Sequence, residues 1–188
     1  MFEKKFYTER LMIREYKMSD IDSFLYVVRQ PEIYVTTYAI PRNYPKDRAK
    51  WWLKTVKENA RNRSAFEFGM FLKSTNRYIG NIGLVNVNLL HNRADIAYYI
   101  DRDYRNNGYT TEAAREILRY GFEDKKFKRI GGMCMSINAA SRRVMEKIGM
   151  KFEGVGRAEL FKDDMYYDID HLSILDYEFF TNCKVEKT

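Results

Sequence analysis

The chain has 188 residues and carries 33 lysines and arginines against 26 aspartates and glutamates, a formal charge of +7 with both histidines neutral. One domain with its own core is expected at that length; a 45% hydrophobic fraction excludes intrinsic disorder, and 10 glycines with 3 prolines exclude collagen-like and low-complexity chains. Two cysteines, Cys134 and Cys183, are too few for a disulfide framework or a structural zinc site, no apolar run reaches membrane-helix length, and no apolar signal core opens the chain, so a reduced, cytoplasmic protein away from membranes is expected.

A first strand is expected over 10–16, where Leu11 and Ile13 alternate with Met12 and Arg14. A helix then starts at a Ser19 cap. Asp20 and Asp22 lie in its first turn, where the helix dipole favours carboxylates, and Ile21, Phe24, Leu25 and Val28 recur at helical spacing up to Pro31. The prolines at 31, 41 and 45 bound an irregular connection carrying Tyr34, Tyr38 and Tyr44. Residues 46–63 are helical again, with Ala49, Trp52, Leu53, Val56 and Ala60 on one side and a stripe of Lys46, Lys50, Lys54, Lys57 and Arg61 beside it. Between Arg42 and Arg63, eight basic residues against two acidic ones supply six of the seven net charges.

Three strand-like runs follow, 66–72, 78–88 and 93–100, and suggest an antiparallel meander. A helix over about 111–123 leads to a strand at 129–137, parallel to the strand before it. The helix 141–148 ends at Gly149, and strands at about 151–162 and 166–177 close the chain around Asp163 and Asp164. No internal repeat or linker divides the chain, so one domain over 1–188 is expected, its core at about 8–177.

The chemistry concentrates in residues 94–112, ADIAYYIDRDYRNNGYTTE. A strand there runs into a loop of Arg105, Asn106, Asn107, Gly108, Tyr109, Thr110 and Thr111 and then into a helix. Glycine lets successive N–H groups converge, and the helix start adds unpaired N–H groups and its dipole, which suits a pyrophosphate. Arg105 adds charge, and the threonine hydroxyls can donate to phosphate oxygens. Spacing alone leaves open an ordinary loop with a threonine cap.

Arg105 to Thr110 resembles the Arg/Gln-x-x-Gly-x-Gly/Ala phosphate loop of the GCN5-related N-acetyltransferase (GNAT) superfamily. The stretches YYIDRDYRNNGYTTEAAREILRYGF and RIGGMCMSINAASRRVMEKIGMKFEGVGRAELFKDDMYYDI, with the opening TERLMIR, are similar to the branch containing the ribosomal-protein alanine acetyltransferases and related small-molecule acetyltransferases. The resemblance spans about 8–177. It implies an α/β (α+β) fold: a mixed, twisted sheet of about seven strands, its fourth and fifth strands parallel and splayed, with helices on both faces. It further implies acetyl-CoA as co-substrate, no metal, and direct acetyl transfer to a primary amine through a tetrahedral intermediate.

Position by position, the resemblance puts the pyrophosphate on the backbone of Arg105 to Thr110. The pantetheine arm would lie beside Tyr99, Ile100 and Asp101, with a backbone N–H near Tyr99 or Ile100 meeting the thioester oxygen. Asn138 and Ser141 would line the CoA sulfur. Asp95 stands where relatives carry a glutamate that takes the amine's proton; pairing with a surface arginine such as Arg93 is the alternative. The tyrosine that many members place after the fifth strand corresponds here to Met145, which cannot donate; Ser141, one helical turn earlier and matching the serine of this branch, is the proton donor that the resemblance implies. Thr110 also departs from the usual Gly/Ala, and Cys134 reads as a small buried apolar residue.

The acceptor would be a protein N-terminus or a small-molecule amine. A basic helix flanking the acceptor entrance favours a neutral or acidic body, and a ribosomal protein or peptide is a candidate carrier. The chain is expected as a monomer or homodimer. The alternatives are a non-catalytic acyl-CoA binder and an RNA- or ribosome-binding module acting through helix 46–63.

Overall fold

The structure, a computed structural model, describes residues 4–185, with side chains through Thr181; Cys183 lies outside the described side chains. Its eight strands are β1 (Lys5–Tyr7), β2 (Leu11–Arg14), β3 (Phe66–Leu72), β4 (Tyr78–Asn88), β5 (Arg93–Ile100), β6 (Arg129–Met135), β7 (Lys151–Lys162) and β8 (Met165–Leu175). They form one sheet in the order β1-β2-β3-β4-β5-β6-β8-β7. Every neighbouring pair is antiparallel except β5 and β6, the fourth and fifth strands of the sequence reading. The helices are α1 (Ile21–Val28), α2 (Pro31–Thr36), α3 (Lys46–Asn62), α4 (Tyr109–Arg119, continued by a π turn over Tyr120–Asp124), α5 (Ala139–Lys147) and α6 (Asp176–Val185).

The mixed α/β sheet implied by the resemblance is present, with four local differences. The eighth strand is β1, whose three residues are too few to show alternation. Pro31 opens α2 instead of only ending α1, because proline's missing N–H costs nothing in a helix's first turn. The final strand stops at Leu175, where α6 begins with Asp176 and Glu178 in its first turn. Ser19 is no cap: Lys17 precedes a short 3-10 turn over Met18–Asp20, and the Asp20 carboxylate accepts from the Lys17 N–H at 2.7 Å.

Alternation along the strands builds two cores. Phe68, Met70, Ile82, Leu84 and Ile96 face α4 and pack with Ile117, Leu118, Met145 and Phe179. The opposite face carries Tyr16, Phe71 and Tyr78 under α1 and α3, against Phe24, Leu25, Leu53 and Val56. A buried ion pair joins this second layer to the sheet. The Arg14 guanidinium meets Asp20 at 2.7 and 2.9 Å and lies 3.7 Å from the Phe71 ring centroid.

The parallel pairing of β5 with β6 is brief. It runs from Arg93 opposite Arg129 to Asp95 opposite Gly131, after which β6 continues alongside β8 alone. From Ile96 to Ile100, β5 therefore has a neighbour only on its β4 side.

Removing one member of the buried pair strands the other charge. Asp20→Ala is expected to lower the unfolding free energy by about 3–5 kcal/mol, measured by denaturant titration.

Candidate active site

A cavity of about 830 Å3 opens where β5 and β6 part, well within the size of ligand clefts. It reaches both faces of the sheet, because β5 turns Ile96 and Tyr98 toward α4 and α5, and Asp95, Ala97 and Tyr99 toward α1 and α3.

At one end lies the loop before α4. Asn106 and Gly108 both adopt left-handed backbone, at φ 62° and 79°, and Gly108 caps α4. Alternating backbone hands of this kind turn successive N–H groups toward one point, and the first turn of α4 adds its own free donors. Arg105, Asn106, Gly108, Tyr109, Thr110 and Thr111 line the cavity, joined by Arg143 and Lys147 from α5. Asn107 does not; its side chain donates to the Arg105 carbonyl at 2.8 Å and braces the loop from within.

The loop is tied to β2 from behind. Glu112 accepts from the Thr8 hydroxyl at 2.5 Å and from Arg10 Nε at 2.7 Å, while Arg10 also donates to the Asn107 carbonyl and stacks on Tyr109. Burial pushes the Glu112 carboxyl up, but these hydrogen bonds hold it below its ordinary range. The tie was legible only as part of the opening TERL, whose partner lies 102 residues away.

Ladder alternation decides which amides of β5 are free. Asp101 N donates to the Ile79 carbonyl at 2.7 Å, so Tyr99 and Ala97 also turn their N–H groups to β4, and Tyr98 and Ile100 turn theirs to the open side. Of the two expected oxyanion donors, Ile100 is thus available and Tyr99 is not. Asp101 is not a cavity residue. It is fully buried, accepts from Gln30 Nε2 at 2.9 Å and from Asp103 N at 3.1 Å, and so fixes the end of β5.

Near the start of α5, Asn138 Oδ1 accepts from Ser141 N at 3.1 Å, which makes Asn138 the helix cap and orients Ser141. The Tyr98 hydroxyl lies 3.0 Å from both Ser141 Oγ and Ser141 O. Burial raises the Tyr98 pKa, so the hydroxyl keeps its proton. Met145, where the resemblance leads one to expect a tyrosine, is buried, and the phenol beside Ser141 is that of Tyr98 on β5. Cys134 lines the same region and is buried, its thiol pushed up to about 11 by desolvation, as befits an apolar filler.

The other half of the cavity is aromatic. Tyr38 and Tyr44 from the proline-bounded connection and Trp51 and Trp52 from α3 line it, around two carboxylates, Asp95 and Glu67. Asp95 accepts from Asn86 Nδ2 at 3.0 Å and does not pair with Arg93. Glu67, passed over in the sequence as a polar residue within the run FEFGMFL, sits on the same sheet face as Asp95, and burial raises its pKa. Among the basic residues of 42–63, Arg48 lines the cavity and the lysine stripe does not; Lys46 pairs with Asp22 and Lys50 with Asp47 on the exposed side. The stripe therefore flanks the acceptor half and does not line it, and Arg48 is the basic residue of this segment that does.

Comparison with known proteins agrees with this geometry. The acetyltransferase (GNAT) domain profile matches residues 10–151. A Bacillus subtilis protein described as the uncharacterized N-acetyltransferase YnaD is 30% identical over 171 residues, covering 91% of this chain and 96% of its own. A GNAT-family acetyltransferase from Bacillus anthracis superposes with a TM-score of 0.79 at 27% identity, covering 93% of this chain and 99% of that one. RimL, a ribosomal L7/L12 α-N-protein acetyltransferase solved with coenzyme A, shares the fold at a TM-score of 0.85 and 14% identity, over 92% of this chain and 99% of its own. The chain belongs to the GNAT acetyltransferase family and is an acyltransferase.

Proposed function

We propose that this chain, as one N-acetyltransferase domain, moves an acetyl group from acetyl-CoA directly to a primary amine on a protein N-terminus or a small molecule. The observation that carries the reading is continuity: one cavity joins the loop at Arg105 to Thr111, the open edge of β5 and the Tyr98–Ser141 pair. The loop and the start of α4 offer N–H groups and dipole to a pyrophosphate, with Arg105, Arg143 and Lys147 as fixed cations. The free N–H groups of Tyr98 and Ile100 suit an extended pantetheine arm and the oxyanion of a tetrahedral intermediate.

Ser141 sits where CoA thiolate would leave. Tyr98 has one proton and two acceptors at 3.0 Å, Ser141 O and Ser141 Oγ; given to Oγ, it leaves the serine's own proton for the sulfur, while Asn138 keeps the serine in place. The acceptor enters through the aromatic half, where its ammonium must lose a proton before the nitrogen can attack, and Asp95 and Glu67 are the carboxylates there.

Ser141→Ala is expected to lower kcat by about 100-fold, the low end for proton transfer in a transition state, with acetyl-CoA affinity unchanged; release of free thiol and calorimetry measure the two. Tyr98→Phe should fall between this variant and wild type. Valine at position 108 must hold φ near 79°, a cost of about 1–2 kcal/mol, so Gly108→Val is expected to raise KM for acetyl-CoA about tenfold with kcat largely kept.

A further inference from the structure

We propose that the Glu67 carboxylate, and not Asp95, receives the acceptor's ammonium group and takes its proton. This rests on the acetyl-transfer reading above and adds the residue and the form of the amine. Three observations lead to it.

The first is placement. Glu67 on β3 stands opposite Gly83 on β4, which stands opposite Ala97 on β5. A Cβ at position 83 would collide with the Phe66 carbonyl oxygen and lie 2.7 Å from Glu67 Cα and 3.0 Å from Glu67 Cγ, so glycine lets β3 and β4 approach closely beside the glutamate. Ala97 is small and borders the unpaired edge of β5. Nothing bulky on this face separates Glu67 from the cavity it lines.

The second is a directed chain of hydrogen bonds that holds one carboxylate oxygen and leaves the other. Tyr16 has one proton, and its shortest contact is to Asn81 Oδ1 at 2.6 Å. Tyr78 must then donate to Tyr16 across 3.3 Å, and Tyr99 to Tyr78 across 3.1 Å. With Oδ1 thus engaged, Asn81 turns its amide Nδ2 to Glu67 Oε2 at 3.2 Å. Each donor in this buried series points toward Glu67, and each polarises the next. Oε1 has no hydrogen bond among the described residues and is left for a ligand.

The third is the surrounding medium. The charged and titratable groups around Glu67 are Tyr16 after β2, Tyr44 before α3, Arg48 on α3, Tyr78 on β4, and Tyr99 and Asp95 on β5, with Asp20 beyond them paired to Arg14. Burial dominates and lifts the carboxyl above its ordinary value, against the Asn81 hydrogen bond, which lowers it. An ammonium entering this aromatic chamber meets the negative faces of the rings and a partly buried carboxylate. Transfer of one ammonium proton to Glu67 Oε1 frees the nitrogen lone pair. The freed lone pair forms the C–N bond to the thioester carbon. When the C–S bond breaks, the thiolate takes the Ser141 proton, the nitrogen gives up its second proton to restore the serine, and Glu67 returns its proton to solvent.

The test uses the whole chain, with benzylamine as probe, in wild type, Glu67→Gln and Asp95→Asn. In calorimetry, wild type is expected to bind benzylammonium and Glu67→Gln to lose that binding, while both bind CoA equally. In turnover, wild-type kcat/KM should show an acid limb above the ordinary carboxylate range. Glu67→Gln should fall about 100-fold at neutral pH and shift that limb to the pKa of the amine itself, and Asp95→Asn should keep the wild-type limb. Folding is checked by melting. A raised native pKa stabilises the fold at low pH and that contribution is lost as pH rises through it, so Glu67→Gln should melt no lower than wild type at pH 8. The proposal is overturned if wild type fails to bind benzylammonium, if Glu67→Gln keeps the limb with activity within about threefold, or if Asp95→Asn alone removes it. Failure of wild type to bind CoA would instead count against the acetyl-transfer reading, and the benzylammonium measurement would still decide the role of Glu67.

Discussion

The unpaired edge of β5 is the feature on which the site depends. After Asp95 and Gly131 the two parallel strands separate, β6 stays with β8, and a row of backbone groups on β5 is left without a protein partner. Buried peptide groups in that state are costly unless something supplies the missing hydrogen bonds. An extended chain with amide groups of its own can do so. Every other part of the site is arranged along that edge, with the loop of Arg105 to Thr111 where β5 ends, Tyr98 and Ser141 on one face, and Glu67 with its hydrogen-bonded tyrosines on the other.

The two faces divide the chemistry because alternation in a strand sends neighbouring side chains to opposite sides. Tyr98 and Tyr99 are adjacent in sequence yet serve different ends of the cavity. Tyr98 reaches Ser141, and Tyr99 closes the series through Tyr78, Tyr16 and Asn81 to Glu67. A single strand thus connects the leaving-group side with the acceptor side. Ionisable groups follow the same division in part, with Arg105, Arg143 and Lys147 toward the loop before α4, and Asp95, Glu67 and Arg48 in the aromatic half.

How far the sequence could be read varied with the range of the interaction. Arg105 to Thr111 was legible because a glycine turn leading into a helix is a local device. The strand and helix pattern was legible for the same reason, apart from a three-residue strand too short to alternate and a proline that starts a helix as readily as it stops one. Asp101 illustrates the limit. Its place at the end of β5 suggested backbone pairing along the CoA arm, but its N–H donates to the Ile79 carbonyl and its own carbonyl accepts from the Tyr104 N–H. The basic stripe of α3 illustrates it again, since helical spacing correctly groups the lysines but says nothing about which way the stripe points once Leu53 and Val56 are packed on the sheet.

By itself, then, the amino-acid sequence determined what depends on periodicity and local turns: the order of strands and helices, the parallel step between two of the strands, and a glycine turn leading into α4. Tertiary structure decided what depends on lateral contact between distant segments. Only packing brought Tyr98 against Ser141, aligned Glu67, Gly83 and Ala97 in a row across three strands, and turned Lys46 and Lys50 outward. The reason is physical. Burial, strand register and the direction of a hydrogen bond are properties of neighbours in space, and in this sheet those neighbours come from separate strands and helices.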